Sequence, residues 1–176
     1  MSFFSFRKAI LAEARVIADL INSAYRGDSS RAGWTTEADL VMGTRINEAE
    51  ICGLIEMQDS FILLCLQAKE IIGTIHLQKI DGAAYLGLFV VKPNLQGNGI
   101  GKQLMAEAEK LARQQWNVTR IWMTTIAQRS ELVSFYERRG YQRTGQRKPF
   151  PTELGDNRPI VEGLQLEILE KHLSSD

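Results

Sequence analysis

The sequence has little of what would supply a covalent staple, a membrane anchor or a strong electric field. It has two cysteines in 176 residues, Cys52 and Cys65. Cys65 sits inside the apolar run 61–66, so it reads as a buried thiol in a reducing compartment and not as half of a disulfide framework. Lysine and arginine total 21, and aspartate and glutamate also total 21, which leaves no net charge to attract nucleic-acid phosphates. No apolar run is long enough to cross a bilayer. The opening residues 1–8 put their cations after a short apolar patch, the wrong order for a secretory leader. These absences predict a cytoplasmic protein with neither a membrane nor a nucleic-acid partner. Prolines number four, and there is no repeat or low-complexity tract, so one domain over residues 1–176 is expected. A chain of this length can bury a core without a metal, and no metal site is expected.

What is present is a change of period along the chain. Residues 3–9 suit a first strand, and Ile10, Leu11, Ala14, Ile17, Ala18, Leu20, Ile21 and Ala24 then fall at helical spacing. Gly27-Asp28-Ser29-Ser30 breaks that helix. Thr35 or Thr36 can cap a second one, and a further helical pattern covers about 47–57. The runs 61–66, 71–77 and 83–91 are short and β-rich, with Asp81-Gly82 as a hairpin turn between the last two. They predict a three-stranded antiparallel meander. A helix over 100–115, a strand over 120–126, a short helix over 131–139 and a last strand over 164–169 follow. The fold class is therefore α/β in the mixed α+β sense, with helices around one mostly antiparallel sheet.

Chemistry concentrates where the third strand of the meander meets the following helix. Pro93 ends the ladder, and Gln96-Gly97-Asn98-Gly99-Ile100-Gly101-Lys102 runs straight into the helix. Glycines allow positive φ and close approach of backbone to a ligand. Free amides at a helix start, with the positive end of the macrodipole and Lys102 in the first turn, make a site for a pyrophosphate. A Walker-type loop needs four residues between its glycines and a hydroxyl after the lysine. Here three residues separate Gly97 from Gly101, and Gln103 stands in the hydroxyl's place. A dinucleotide fingerprint needs glycine where Lys102 stands and a parallel βαβ unit that the meander contradicts.

The pattern Gln-x-x-Gly-x-Gly between strand and helix resembles the acetyl-CoA motif of the GNAT superfamily of N-acetyltransferases. Phe135-Tyr136-Glu137-Arg138-Arg139-Gly140-Tyr141 resembles the Leu-Tyr-x-Lys-x-Gly-Phe ending of that family's fourth helix, and the order of elements matches from about residue 3 to residue 172. The resemblance implies a GNAT fold and acetyl-CoA as co-substrate, with the amides of Gln96, Gly97, Asn98, Gly99, Ile100, Gly101 and Lys102 around the pyrophosphate. It also implies that the preceding strand parts from its neighbour at a bulge, so that the backbone of Phe89, Val90 and Val91 pairs with pantetheine. Tyr136 corresponds to the tyrosine facing the sulfur, where a phenol can return a proton to the departing thiolate. Arg129 stands where the family commonly has an asparagine that contacts the cofactor, and an arginine there can reach phosphate.

The implied reaction transfers acetyl to a primary amine of a small molecule, peptide or protein by direct attack, and homodimer formation is left open. The strand Tyr85-Leu86-Gly87-Leu88-Phe89 lacks the carboxylate that some members use as base, which leaves Glu37, His76 and Tyr85 as candidates. For the amine, Trp34 and Phe150 can wall a pocket, and Glu37, Glu153 or Asp156 can attract a cation. Gly-Trp-Thr-Thr-Glu at 33–37 and Pro-Phe-Pro at 149–151 also resemble a subgroup of the family. A non-catalytic acyl-CoA sensor and a nucleotide-binding protein are the competing readings.

Overall fold

The computed structural model describes residues 3–152 and 156–174. Strand β1 (Phe4–Lys8) leads through a 3-10 turn, Leu11–Glu13, into helix α1 (Ala14–Tyr25). The α-helix starts later than the apolar spacing predicts because Glu13 turns back. Its carboxylate accepts from the Ile10 amide at 3.1 Å and pairs with Arg7.

The helix expected after Thr35 or Thr36 does not form. Residues Asp28–Ala32 make a 3-10 turn, irregular backbone follows, and a two-residue strand β2 (Val41–Met42) closes the segment. Both hydroxyls are engaged elsewhere. Thr36 Oγ1 accepts from the Ala38 amide at 3.0 Å, and Thr35 bonds side chains from the far half of the chain. The helix α2 (Glu48–Glu56) is capped by Asn47, which accepts from the Glu50 amide while Glu50 accepts from the Asn47 amide, each at 2.9 Å.

The meander forms as the sequence predicts, from β3 (Ser60–Gln67), β4 (Glu70–Ile80) and β5 (Ala83–Val91). After it come α3 (Ile100–Trp116), β6 (Arg120–Ile126) and α4 (Ser130–Glu137). The chain then adds β7 (Gln142–Pro149), a short β8 (Arg158–Pro159) paired with β2, and β9 (Gln165–His172). The main sheet has seven strands in the order β1-β3-β4-β5-β6-β9-β7, antiparallel except between β5 and β6.

Alternation along β3 divides the core between the two faces of the sheet. Leu63 and Cys65 join Ile100, Leu104, Ala108 and Ala112 of α3 in one cluster. Ile62, Leu64 and Leu66 join Ile17 and Ile21 of α1 and Ile51 of α2 in the other. Helices thus cover both faces of the sheet around β5, and β5 and β6 are the strands that part to form the cleft. No helix among the described residues is long and apolar enough to cross a membrane.

Candidate active site

Strands β5 and β6 pair only at Ala84–Ile121 and Tyr85–Trp122. Beyond Tyr85 they diverge, because β5 carries a bulge. Thr74 faces Val90 and His76 faces Gly87, so one residue of β4 spans two of β5, Leu88 and Phe89. Leu88 takes a left-handed φ of 47°, and its carbonyl accepts from Thr74 Oγ1 at 3.1 Å. From Gly87 to Val91 the side of β5 that faces β6 has no ladder among the described residues. Gln96 Nε2 takes the Val91 carbonyl at 3.1 Å.

The glycine turn closes one end of this opening. Gly97 and Gly99 have φ of 85° and 79°, and a Cβ on either would meet nothing within 4 Å, so open space lies in front of them. Gly101 serves a different purpose. A Cβ there would stand 3.1 Å from the Phe89 ring. Asn98 turns its side chain back to the Leu95 carbonyl at 3.0 Å, and no side chain caps α3. The first helical bond runs from the Gln103 amide to the Gly99 carbonyl, which leaves the amides of Ile100, Gly101 and Lys102 without a partner among the described residues. Backbone shape, free amides and empty space all suit a pyrophosphate.

Two cavities meet in the cleft. The first, about 80 Å³, is lined by Phe89, Val90, Val91, Gln96, Ile100 and Gly101 from the strand and turn, and by Trp34, Thr35 and Phe135. The second, about 230 Å³, is lined by Arg26, Glu37, Arg45, Tyr85, Thr124, Thr125 and Phe150, among others. Tyr25, Phe89, Arg129, Leu132 and Tyr136 border both and form the waist between them. Tyr136 is buried, and no other described side chain takes or gives a hydrogen bond at its hydroxyl. Burial is the main cause that lifts its pKa well above the usual phenol value, so it stays a neutral O–H.

The loop 33–37 is strapped across this waist. Gln96 Oε1 accepts from the Trp34 amide at 3.1 Å, and a Cβ on Gly33 would fall 2.3 Å from that oxygen, so only glycine admits the contact. Thr35 Oγ1 donates to Glu131 at 3.0 Å and accepts from Arg129 at 2.7 Å. Glu37 is only 6% exposed and lies between two arginines, Arg129 at 3.1 Å and Arg26 at 3.4 Å. Burial pulls the Arg26 pKa down, and the charge of Glu37 pulls it back up.

Several expectations meet in one place, and others do not. Tyr136, the three β5 residues, Gln96, Ile100 and Gly101 come together at the first cavity and the waist, while Gly97, Asn98, Gly99 and Lys102 line neither cavity. Glu37 and Phe150 share the second cavity, but Trp34 lies in the first, its ring 5.7 Å from that of Phe135. Arg129 borders both cavities with two of its nitrogens engaged by Glu37 and Thr35. Among the base candidates, Glu37 is held by its two arginines. His76 is buried, bonded to Ser60 at 2.9 Å, and lowered by burial to about 4. Tyr85 faces the second cavity, with its ring 4.8 Å from Trp122. Asp156 lines neither cavity, and Glu153 lies outside the described residues. Sequence reading missed Tyr25, Arg26, Arg45, Leu132 and Phe135. Gly33 beside Trp34 was the one local signal of a close backbone approach.

A cleft between splayed central strands, with an uncapped glycine turn at its end, has the shape and free amides that suit an extended anionic ligand. The sequence signature of the Acetyltransferase (GNAT) family matches residues 18–141, and the chain belongs to that family and so to the acyltransferases. Among curated proteins no significant match to the sequence is found. Among solved structures, the ribosomal-protein-alanine N-acetyltransferase of Brucella melitensis is 18% identical, with 96% of this chain and 99% of that one covered and a TM-score of 0.71. The spermidine/spermine N-acetyltransferase of Vibrio cholerae is 17% identical over 96% of this chain and 92% of its own, with a TM-score of 0.65. An N-acetyltransferase of Staphylococcus aureus Mu50 is 12% identical over 97% and 98%, with a TM-score of 0.72. At such identities the likeness is one of fold. The family generally uses acetyl-CoA and acts on amines.

Proposed function

We propose that this chain is, over its whole length, an N-acetyltransferase that moves the acetyl group of acetyl-CoA to a primary amine. The observation that carries the reading is the position of Tyr136, at the waist between a cavity ending on the glycine turn and a second, polar cavity. When bound, acetyl-CoA supplies a thioester carbonyl that an uncharged amine can attack directly. The amides of the turn, with Lys102 behind them, hold the pyrophosphate, and the open edge of β5 at Phe89, Val90 and Val91 aligns the pantetheine arm. Arg129 borders that wall and fixes the strap through Thr35 and Glu37.

As the carbon–nitrogen bond forms, the carbon–sulfur bond breaks and sulfur leaves as thiolate. The neutral Tyr136 hydroxyl donates a hydrogen bond to that sulfur, and the thiolate takes its proton from solvent. A phenol held above its usual pKa stabilises the thiolate chiefly as a hydrogen-bond donor. The two free thiols, one half-buried and one buried, suit a reducing cytoplasmic setting.

The experiment is release of CoA thiol from acetyl-CoA with a panel of amines. Thiol production that requires an amine is expected; binding of acetyl-CoA with no amine-dependent release would turn the reading into that of a sensor.

A further inference from the structure

The second cavity is charged in a way that bears on the amine. Its described lining holds three arginines, Arg26, Arg45 and Arg129, and one carboxylate, Glu37. Glu37 is already engaged by Arg26 and Arg129, so its charge is not free to receive an ammonium ion. Arg45 is half-buried, with its guanidinium 5.3 Å from the centre of the Tyr25 ring, and it has no carboxylate partner among the described residues. The Nε of Arg129, on the waist, is buried with no hydrogen-bond partner. In a chain with no net charge overall, this cavity is locally cationic.

We infer that the acceptor is an amine that carries its own carboxylate, of amino-acid size, and that Arg45 takes the carboxylate. The inference rests on the transferase reading above and deepens it. A planar guanidinium with free donors matches a carboxylate, whereas a point ammonium in the same place would meet like charge. The same positive field lowers the pKa of a bound ammonium and so favours the free amine. A cavity without an evident base thereby helps the acceptor lose its proton. The balance is plain: the ammonium gives one proton to solvent, its nitrogen bonds to the acetyl carbon, and the second proton is matched by the one gained at sulfur. The products are an N-acetyl amino acid and free CoA thiol. Polyamines, with several charges and no carboxylate, are disfavoured by this lining.

The test uses matched pairs on the whole protein: methionine against 3-(methylthio)propylamine, and phenylalanine against phenethylamine. A dipeptide whose carboxylate lies on an acidic second residue, and spermidine, complete the set. The expected result is that the amino acid of at least one pair has kcat/KM at least tenfold above its decarboxylated partner. Arg45→Met should collapse that ratio towards one by raising KM for the amino acid, while Arg45→Lys keeps part of it. Preference for the dipeptide over free amino acids would place the carboxylate in a peptide and overturn the amino-acid size. Decarboxylated amines or spermidine matching or exceeding the amino acids would overturn the inference and leave the transferase intact. Silence from every amine, with acetyl-CoA still bound, would overturn both. Calorimetric binding of N-acetylmethionine in the presence of CoA, weakened in Arg45→Met, gives a readout independent of turnover.

Discussion

The two halves of the cleft are built by different means. The half around the glycine turn is made of backbone: two left-handed glycines, uncapped amides and a bulged strand. The half around Glu37 is made of side chains brought together from distant parts of the chain, with 92 positions separating Glu37 from Arg129. A backbone site depends on local conformation and tolerates much change around it. A side-chain site depends on charge pairing, and losing one partner strands the others.

The sharpest way to break this contrast is Glu37→Gln. It leaves two buried guanidinium groups without a counter-charge, and a loss of about 3–5 kcal/mol in unfolding free energy is expected by denaturant titration. A loss below about 1 kcal/mol would mean that water reaches the pair and that the two halves do not differ as described.

The next effect depends on pH and lies beside the same side-chain half. His76 has an ordinary pKa near 6.5 and is held by burial at about 4. Between these values the unfolded chain takes up a proton that the folded chain does not, so stability falls as pH drops through that window. The contribution lost by pH 4 is about 3 kcal/mol. Stability curves for the wild type and His76→Asn should converge as pH falls from 6.5 to 4; parallel curves would remove His76 from the account.

Tyr136→Phe probes the waist. Turnover is expected to fall about 100-fold, with the Kd for acetyl-CoA changed less than about twofold. Equal losses in rate and affinity would make the hydroxyl a packing group.

The smallest effect belongs to the backbone half. Gly99→Asp adds strain at a φ of 79° and sets a carboxylate before the amides, and it should raise the Kd for acetyl-CoA about 30-fold, or about 2 kcal/mol. Calorimetry showing unchanged affinity would detach the turn from the ligand.

The same contrast explains what could be read before folding. The turn was legible because its glycine spacing, the strand before it and the helix after it are contiguous. The meander was legible from β-rich runs and Asp81-Gly82. Strand β7 carried no such signal. Gln142–Pro149 is almost wholly exposed, so no apolar alternation marks it. The helix expected after Thr35 or Thr36 does not form because Arg129 and Glu131, both remote in sequence, take the Thr35 hydroxyl. Trp34 shares a loop with Glu37 yet lines the first cavity and not the second. Which way that loop faces was settled by Gln96, 62 positions away.

The bulge at Leu88 has one more consequence. It turns a strand at the centre of a seven-stranded sheet into an edge strand over half its length. Exposed edges invite pairing with other chains, and proteins normally blunt them with charge, proline or a covering element. This edge lies in a cavity walled by Trp34, Thr35, Phe135 and Tyr136, not on the outer surface. The fold thus covers a potentially sticky edge with its own loop and helix, which is the covering-element form of edge protection.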